Sequence, residues 1–297
     1  MTARPPVTAT WRDVDVDGAT VRLLEAGEGE PLLFLHGWGL SPRTYAEGVL
    51  PLTSAGLRVL APCLPGFGGS DGPPLTGVDL PAYAERIGRL LDVLGLEHPA
   101  FVVGHSFGGG VALQLATDRP DLVRSLTLVN SVGGAPGPRR GMVDASWLRW
   151  AVGTLGELDA RGLARSAPAM LRDFLPNLLR KPLTLALTGR LALTASLAAE
   201  AEALVARGLS VLFVWGDDDR VIAPGALADV VSALPAEVVQ GHHGWLLSEP
   251  EEFTSLIRDA LVVHAMLERR RRGTALVLPE GATLADLLPH ERRRAAR

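Results

Sequence analysis

The sequence predicts an α/β fold, a doubly wound and mostly parallel sheet with helices on both faces. Three observations carry this. Short, nearly continuous apolar runs recur along the chain, as strands buried on both faces require. Stretches between several of them carry apolar residues at spacings of three and four, the signature of helices laid on a sheet. Clean period-two alternation appears only near the start, so an antiparallel edge is expected there and parallel pairing elsewhere.

The elements follow in order. "WRDVDVDGATVRLLEAG" (11–27) alternates around an Asp-Gly pair and predicts an antiparallel hairpin. "LLFLHG" (32–37), "LRVLAP" (57–62), "AFVVGHS" (100–106) and "SLTLVN" (125–130) predict buried strands. "LSVLFVWG" (209–216) joins them, with "AEVVQG" (236–241) as a weaker sixth. Residues 79–96 place Leu80, Tyr83, Ala84, Ile87, Leu90, Leu91 and Leu94 on one helical stripe. Residues 106–118, 224–234 and 250–267 also read as helices.

Residues 133–207 interrupt the rhythm. "GGAPGPRRG" (133–141) is a turn-rich exit, and the Leu- and Ala-rich stretch after it offers no strand, only helix cut by Pro168, Pro176 and Pro182. The expected organisation is a core of 1–132 and 208–265, a helical cap over 133–207, and an Arg-rich extension over 266–297. A helical insertion in such a core is most simply a lid over the C-terminal sheet edge, where these folds bind ligands. The insertion supplies Leu, Ala, Met170 and Phe174, and no cluster of charges is evident in it.

Composition narrows the function classes. The chain has 297 residues, 47% of them hydrophobic and 21% charged, with a net charge of −4. The segment from Ala265 onward carries eight Arg against four acids, so the body is more acidic than the total suggests. An acidic body argues against nucleic acid as the main partner. Cys63 is the only cysteine, so no intrachain disulfide forms. The sequence shows no secretory h-region and no apolar run long enough for a bilayer span, so a soluble cytoplasmic protein is expected. No metal-ligand spacing and no phosphate-binding glycine loop appears, so no cofactor is implied.

One short stretch carries chemistry. In "FVVGHSFGGG" (101–110), Ser106 stands between Gly104 and Gly108 where an apolar strand gives way to a helix. A serine on that sharp turn is held strained with its hydroxyl pushed clear of the sheet, and small neighbours let strand and helix close up. A serine hydroxyl at its free pKa is a poor nucleophile, so a base and an orienting acid must come from elsewhere. "VWGDDDRVIAP" (214–224) offers three aspartates after one strand, and "GHHGWLLSEPEEF" (241–253) offers two histidines after the next.

With these motifs in this order, the chain resembles the α/β-hydrolase superfamily, in its capped serine-hydrolase branch, over about residues 20–265. "HGWG" (36–39) resembles the family's oxyanion loop, "LPGFGGSD" (64–71) its turn after the next strand, "GHSFGG" its nucleophile elbow and "WGDDDRVIAP" its acid segment. The resemblance implies Ser106 as nucleophile and Asp219 as acid, with Asp217 and Asp218 as neighbours in the same run. It implies His243 as base, with His242 adjacent. The oxyanion hole is expected from the backbone N–H groups of Trp38 and Phe107. The Trp38 side chain either lines the acyl pocket or only packs, and His36 is read as structural. Some relatives carry the acid after the preceding strand, where this chain has Asn130 and Ser131. The chain departs from the pattern at Cys63, where relatives usually carry Asp, which puts the anchoring of that loop in doubt.

The activity expected is hydrolysis of a small to medium, mainly apolar carboxylic ester through an acyl-enzyme on Ser106. Carbon–carbon bond hydrolysis of a diketone-type substrate and cofactor-free perhydrolysis are the runners-up. A member of the fold that binds a ligand without turning it over is the alternative of a different class.

Overall fold

The computed structural model describes residues 8–134, 160–222 and 236–271. The expected helix at 224–234, residues 135–159 of the expected cap and residues 272–297 of the Arg-rich extension lie outside this description. Eight strands form one sheet: β1 (Ala9–Val16), β2 (Ala19–Ala26), β3 (Glu30–Leu35), β4 (Leu57–Pro62), β5 (Ala100–His105), β6 (Val123–Val129), β7 (Ser210–Gly216) and β8 (Ala236–Val239). Their order is β1-β2-β4-β3-β5-β6-β7-β8. β1 and β2 pair antiparallel, as do β2 and β4, and the remaining pairs are parallel.

The β1–β2 hairpin turns at Asp17 (φ 54°) and Gly18 (φ 76°). Positive φ at both central residues is the geometry that matches the twist of the flanking strands, which is why an Asp-Gly pair stands there. The central strands β5 and β7 are buried at every residue. Their unbroken apolar character follows from helices on both sides.

Helix α1 (Leu80–Leu94) begins where the Asp79 carboxylate accepts the Ala82 N–H (2.9 Å) and ends at Gly95, which adopts φ 59°. Its buried stripe of Leu80, Tyr83, Ala84, Ile87, Leu90 and Leu91 packs with α2 (Phe107–Asp118) on one face of the sheet. The other face is covered by α6 (Pro250–Arg271), through Phe253, Leu256 and Ile257, and by short turns over 42–55. α6 therefore runs beyond residue 265, through the point where the extension was expected to begin.

Between β6 and β7 the described chain is helical: α3 (Ala160–Arg180), α4 (Pro182–Thr194) and α5 (Ala198–Ala206). An isolated bridge between Gly133 and Ser196 is the one β contact described there. The sequence expected Pro168 and Pro176 to cut this helix, and they do not; both lie inside α3. A helix-interior proline removes one backbone hydrogen bond. Here the contacts of Met170, Asp173 and Asn177 with the core, all three buried, hold the helix through it. Pro182 does mark a boundary, because it stands at the first position of α4, where its missing N–H would be unsatisfied anyway.

Among the described residues, no helix is long and apolar enough to cross a membrane.

Candidate active site

The parallel strands leave the sheet in opposite directions from one point. From β3 the chain moves outward to β4, then returns to β5 and proceeds to β6, β7 and β8. The loops after β3 and β5 therefore diverge and leave a crevice at the C-terminal ends of the strands, the usual ligand position in such sheets. Ser106 follows β5, Trp38 follows β3, Asn130 follows β6, Asp219 follows β7 and His243 follows β8. Five segments remote in sequence thus converge on one edge.

Ser106 adopts φ 53° and ψ −118° at the start of α2. A non-glycine residue with positive φ carries a strain that its surroundings must impose. The packing of the glycines shows how. A Cβ on Gly104 would lie 2.5 Å from the Gly108 carbonyl oxygen, and one on Gly108 would overlap the carbonyl oxygens of Leu35 and His36. Only glycine lets β3, β5 and α2 meet this closely, and that contact forces the turn at Ser106.

His243 Nε2 lies 2.9 Å from Ser106 Oγ, and His243 Nδ1 lies 2.9 Å from Asp219 Oδ2. All three residues are buried. The ionised carboxylate only accepts, so Nδ1 carries the ring proton and Nε2 is left to accept the serine hydroxyl. Asp219 Oδ2 also accepts from Asn130 Nδ2 (2.6 Å), and its Oδ1 accepts the N–H groups of Val221 and Ile222 (2.9 Å each). Burial by itself opposes the charge on Asp219. The His243 ring and these donors outweigh it and hold the carboxyl below its ordinary range. Asn130 is oriented in turn by Trp245 Nε1, which donates to its Oδ1 (2.9 Å).

The neighbouring candidates go elsewhere. Asp217 Oδ1 accepts the Gly241 N–H (2.9 Å), so it ties the β7 exit to the histidine loop. Asp218 pairs with Arg220 (2.9 Å) and with His242 (3.2 Å) at the surface. Its carboxyl is lowered first by the Arg220 hydrogen bond. The geometry joins Ser106, His243 and Asp219 and leaves Asp217, Asp218 and His242 outside that set.

Trp38 and Phe107, expected as backbone donors, flank Ser106 from the β3 loop and from the first turn of α2. The Trp38 indole is 7% exposed; its Nε1 donates to Leu185 O (3.1 Å) and Thr188 Oγ1 (2.9 Å) on α4, and its ring meets Phe174 edge-on at 5.5 Å. The side chain thus fastens the β3 loop to the inserted helices. His36 Nδ1–H donates to Gly37 O (2.8 Å) while its Nε2 accepts the Leu64 N–H (2.8 Å). Burial lowers its pKa to about 4, so it is neutral and ties two loops together.

Several residues near the site were not flagged by the sequence. His105 Nδ1 accepts the Tyr45 hydroxyl (2.9 Å), and Tyr45 Oη accepts the Gly37 N–H (3.1 Å). Asp173 on α3 accepts from Ser41 Oγ (2.6 Å), Thr44 Oγ1 (2.7 Å) and Arg43 Nη1 (3.4 Å), while Asn177 Nδ2 donates to Gly39 O (3.0 Å). A polar pair four apart in a Leu-rich helix was the available signal, since both side chains fall on one face.

Cys63 is buried, and burial pushes its thiol up to about 12. Its Sγ–H donates to Gly68 O at 3.5 Å. The anchoring left in doubt there comes from Ser70, whose Oγ donates to Cys63 O (2.8 Å) and accepts the Arg22 N–H (2.9 Å), and from Asp71, which accepts the Thr20 N–H (2.8 Å). Among the described residues, no group of three or more His, Cys, Asp or Glu is arranged to hold a metal ion.

The alpha/beta hydrolase family model matches residues 32–256, and the chain belongs to that family. It is 34% identical over 269 residues to a dihydrolipoyllysine-residue acetyltransferase component of an acetoin cleaving system from Cupriavidus necator, covering 85% of this chain and 69% of that protein. It is 36% identical over 138 residues to a 2-hydroxymuconate semialdehyde hydrolase from Pseudomonas sp. (strain CF600), a match spanning 46% of this chain and 48% of the relative. A solved meta-cleavage product hydrolase from Pseudomonas fluorescens superposes with a TM-score of 0.67 at 20% identity, over 84% of this chain and 97% of that one, a likeness of fold.

Proposed function

We propose that the protein is a serine hydrolase that cleaves small to medium, mainly apolar carboxylic esters through an acyl-enzyme on Ser106. The observation that carries this reading is the unbroken hydrogen-bonded line from Ser106 Oγ through His243 to Asp219, set on a serine with positive φ. In this mechanism Ser106 Oγ attacks the ester carbonyl carbon as its proton passes to His243 Nε2. The oxyanion that forms is met by the N–H groups of Phe107 and Trp38. The N-terminal end of α2 adds a favourable field for negative charge. Collapse expels the alcohol, which takes the proton from His243, and leaves the acyl group on Ser106. Water then attacks with His243 again as base, and the carboxylic acid departs as Ser106 recovers its proton. Asp219 stays ionised and stabilises the imidazolium.

α3 to α5 act as a cap over the C-terminal edge of the sheet, which is supported by their fastening to the β3 loop through Trp38, Asp173 and Asn177. Phe174 and the aliphatic residues of that insertion favour an apolar acyl or alcohol group. The name of the hydroxymuconate semialdehyde relative favours carbon–carbon hydrolysis as a second reading.

The test is labelling with a fluorophosphonate, followed by kinetics on aryl esters of increasing acyl length beside a diketone substrate. Wild type is expected to label and to turn over esters, while Ser106→Ala folds but does neither. Labelling without any turnover would leave a ligand-binding member of the fold. Turnover of the diketone alone would select the second reading.

A further inference from the structure

Folding gathers charges that the insertion does not cluster by itself. A cavity of about 270 Å³ lies between α3 and the loop after β4. Five cations line it, Arg22, Arg43, Arg172, Arg180 and Lys181, with one carboxylate, Asp173. They come from three separate segments, β2, the loop after β3 and the end of α3, so no run of basic residues announces the whole cluster. Asp173 is 5% exposed and already accepts from Ser41, Thr44 and Arg43. Among the described residues, Arg22, Arg172, Arg180 and Lys181 form no ion pair.

The cluster is held in place from its rim. The guanidinium groups of Arg22 and Arg43 lie 5.3 and 5.5 Å from the centre of the Trp11 ring, and Lys181 Nζ donates to Ser70 O (3.0 Å). Like charges gathered around a small space repel, and a bound anion relieves that repulsion. The forked guanidinium donors match the oxygens of phosphate and carboxylate groups. The surplus of cations favours a group with more than one negative charge, as a phosphate monoester carries near neutral pH. The space also exceeds what a bare phosphate fills, leaving room for an organic portion.

We propose that this cavity binds a phosphate ester, at a site separate from Ser106 and His243, neither of which lines it. The ester is either a free small molecule or a lipid headgroup. The second source has a structural reason, because Leu171, Leu175 and Leu179 stand 57%, 48% and 72% exposed along α3, beside the arginines. Asp173 and Asn177 line the cavity and also grip the β3 loop, so a ligand there sits against the clamp of the candidate active site.

Lys181 is the only lysine of the chain, which supplies a direct probe. Reductive methylation with ¹³C-formaldehyde gives one lysine NMR signal besides that of the N-terminal amine, and Lys181→Arg identifies it. Glycerol 3-phosphate is titrated at constant ionic strength, with acetate as the control anion. The expected result is a saturable shift with glycerol 3-phosphate and none with acetate, weakened about tenfold or more in Arg172→Gln/Arg180→Gln. If the source is a lipid headgroup, vesicles of phosphatidic acid in phosphatidylcholine, which display a phosphate monoester, sediment the protein, vesicles of phosphatidylcholine alone do not, and the double variant stays in solution. The proposal is overturned if acetate shifts the signal equally, if neither phosphate source binds, or if the double variant binds as wild type does. Repeating the titration on Ser106→Ala keeps the outcome independent of any ester chemistry.

Discussion

The ring of His105 is bonded to the backbone of His243: His105 Nε2–H donates to the His243 carbonyl oxygen at 3.1 Å. Because Nε2 must donate there, Nδ1 is the acceptor, and the Tyr45 hydroxyl supplies its proton. Tyr45 Oη in turn takes the Gly37 N–H, so one line runs from the β3 loop to the histidine loop through the residue before Ser106. Burial, with the neighbouring His243 ring, lowers the His105 pKa to about 3, so the ring stays neutral and keeps this tautomer.

Tyr45→Phe removes the middle of that line and leaves the Gly37 N–H and His105 Nδ1 buried without this partner. The expected cost is about 1–3 kcal/mol in unfolding free energy. Turnover of an activated ester is expected to fall about tenfold in kcat with KM little changed, since misplacing a catalytic group weakens the transition state more than binding. Denaturant unfolding and steady-state kinetics on the same variant check both. Unchanged kcat would mean the line does not position His243.

Asp219→Asn is expected to lower kcat by about 10⁴ near neutral pH, because an amide favours the wrong ring tautomer. Asp217→Asn, Asp218→Asn and His242→Ala are expected to retain most activity. Asn130 Nδ2 stands 2.6 Å from Asp219 Oδ2, so Asn130→Asp added to Asp219→Asn places a carboxylate beside the same point. Partial recovery of kcat in the double variant is the expected outcome. No recovery would show that only the β7 exit can present the acid to His243.

Stability is expected to fall with acid earlier than carboxylate titration explains. His36 and His105 have pKa values lowered from 6.5 to about 4 and about 3, so both are neutral when folded and take up protons on unfolding. Their contribution is complete above the unfolded value of 6.5 and is lost as pH falls toward the folded values. Asp219, lowered from 3.8, adds a loss that begins only near that value. Each histidine therefore contributes a slope of about 1.4 kcal/mol per pH unit between about pH 6 and 4. Denaturant melts across that range measure the slope, and His105→Gln is expected to flatten it by one proton. A flat wild-type profile would contradict the burial argument.

Asp173→Ala leaves Ser41, Thr44 and Arg43 without their shared acceptor. Removing a buried carboxylate from donors that depend on it is expected to destabilise by about 3 kcal/mol or more. Asp173→Asn, which keeps an acceptor oxygen, is expected to cost less. Thermal melts of the two variants give the comparison, and equal losses would show that the charge rather than the hydrogen bonding matters.

What the amino-acid sequence determined by itself was local or periodic. Parallel strands buried on both faces must be apolar throughout, so β3, β5, β6 and β7 stood out, and an Asp-Gly turn between alternating runs marked the hairpin. The strained serine was legible for the same reason, since a turn that tight admits only glycine at Gly104 and Gly108. Tertiary structure alone decided what depends on where loops from distant strands end. Three adjacent aspartates and two adjacent histidines are equivalent in chemical type, and only the family resemblance singled out Asp219 and His243 among them. The lengths of the β7 and β8 exits bring Asp219 and His243 to Ser106 and send Asp218 and His242 to the surface. Pro168 and Pro176 read as helix breaks because propensity is a local cost, whereas the anchoring of Met170, Asp173 and Asn177 is a non-local gain. The basic cavity was invisible for the same reason. Arg22 and Arg43 lie more than a hundred residues from Arg172, Arg180 and Lys181, and only the docking of α3 against the β4 loop puts their charges in one place.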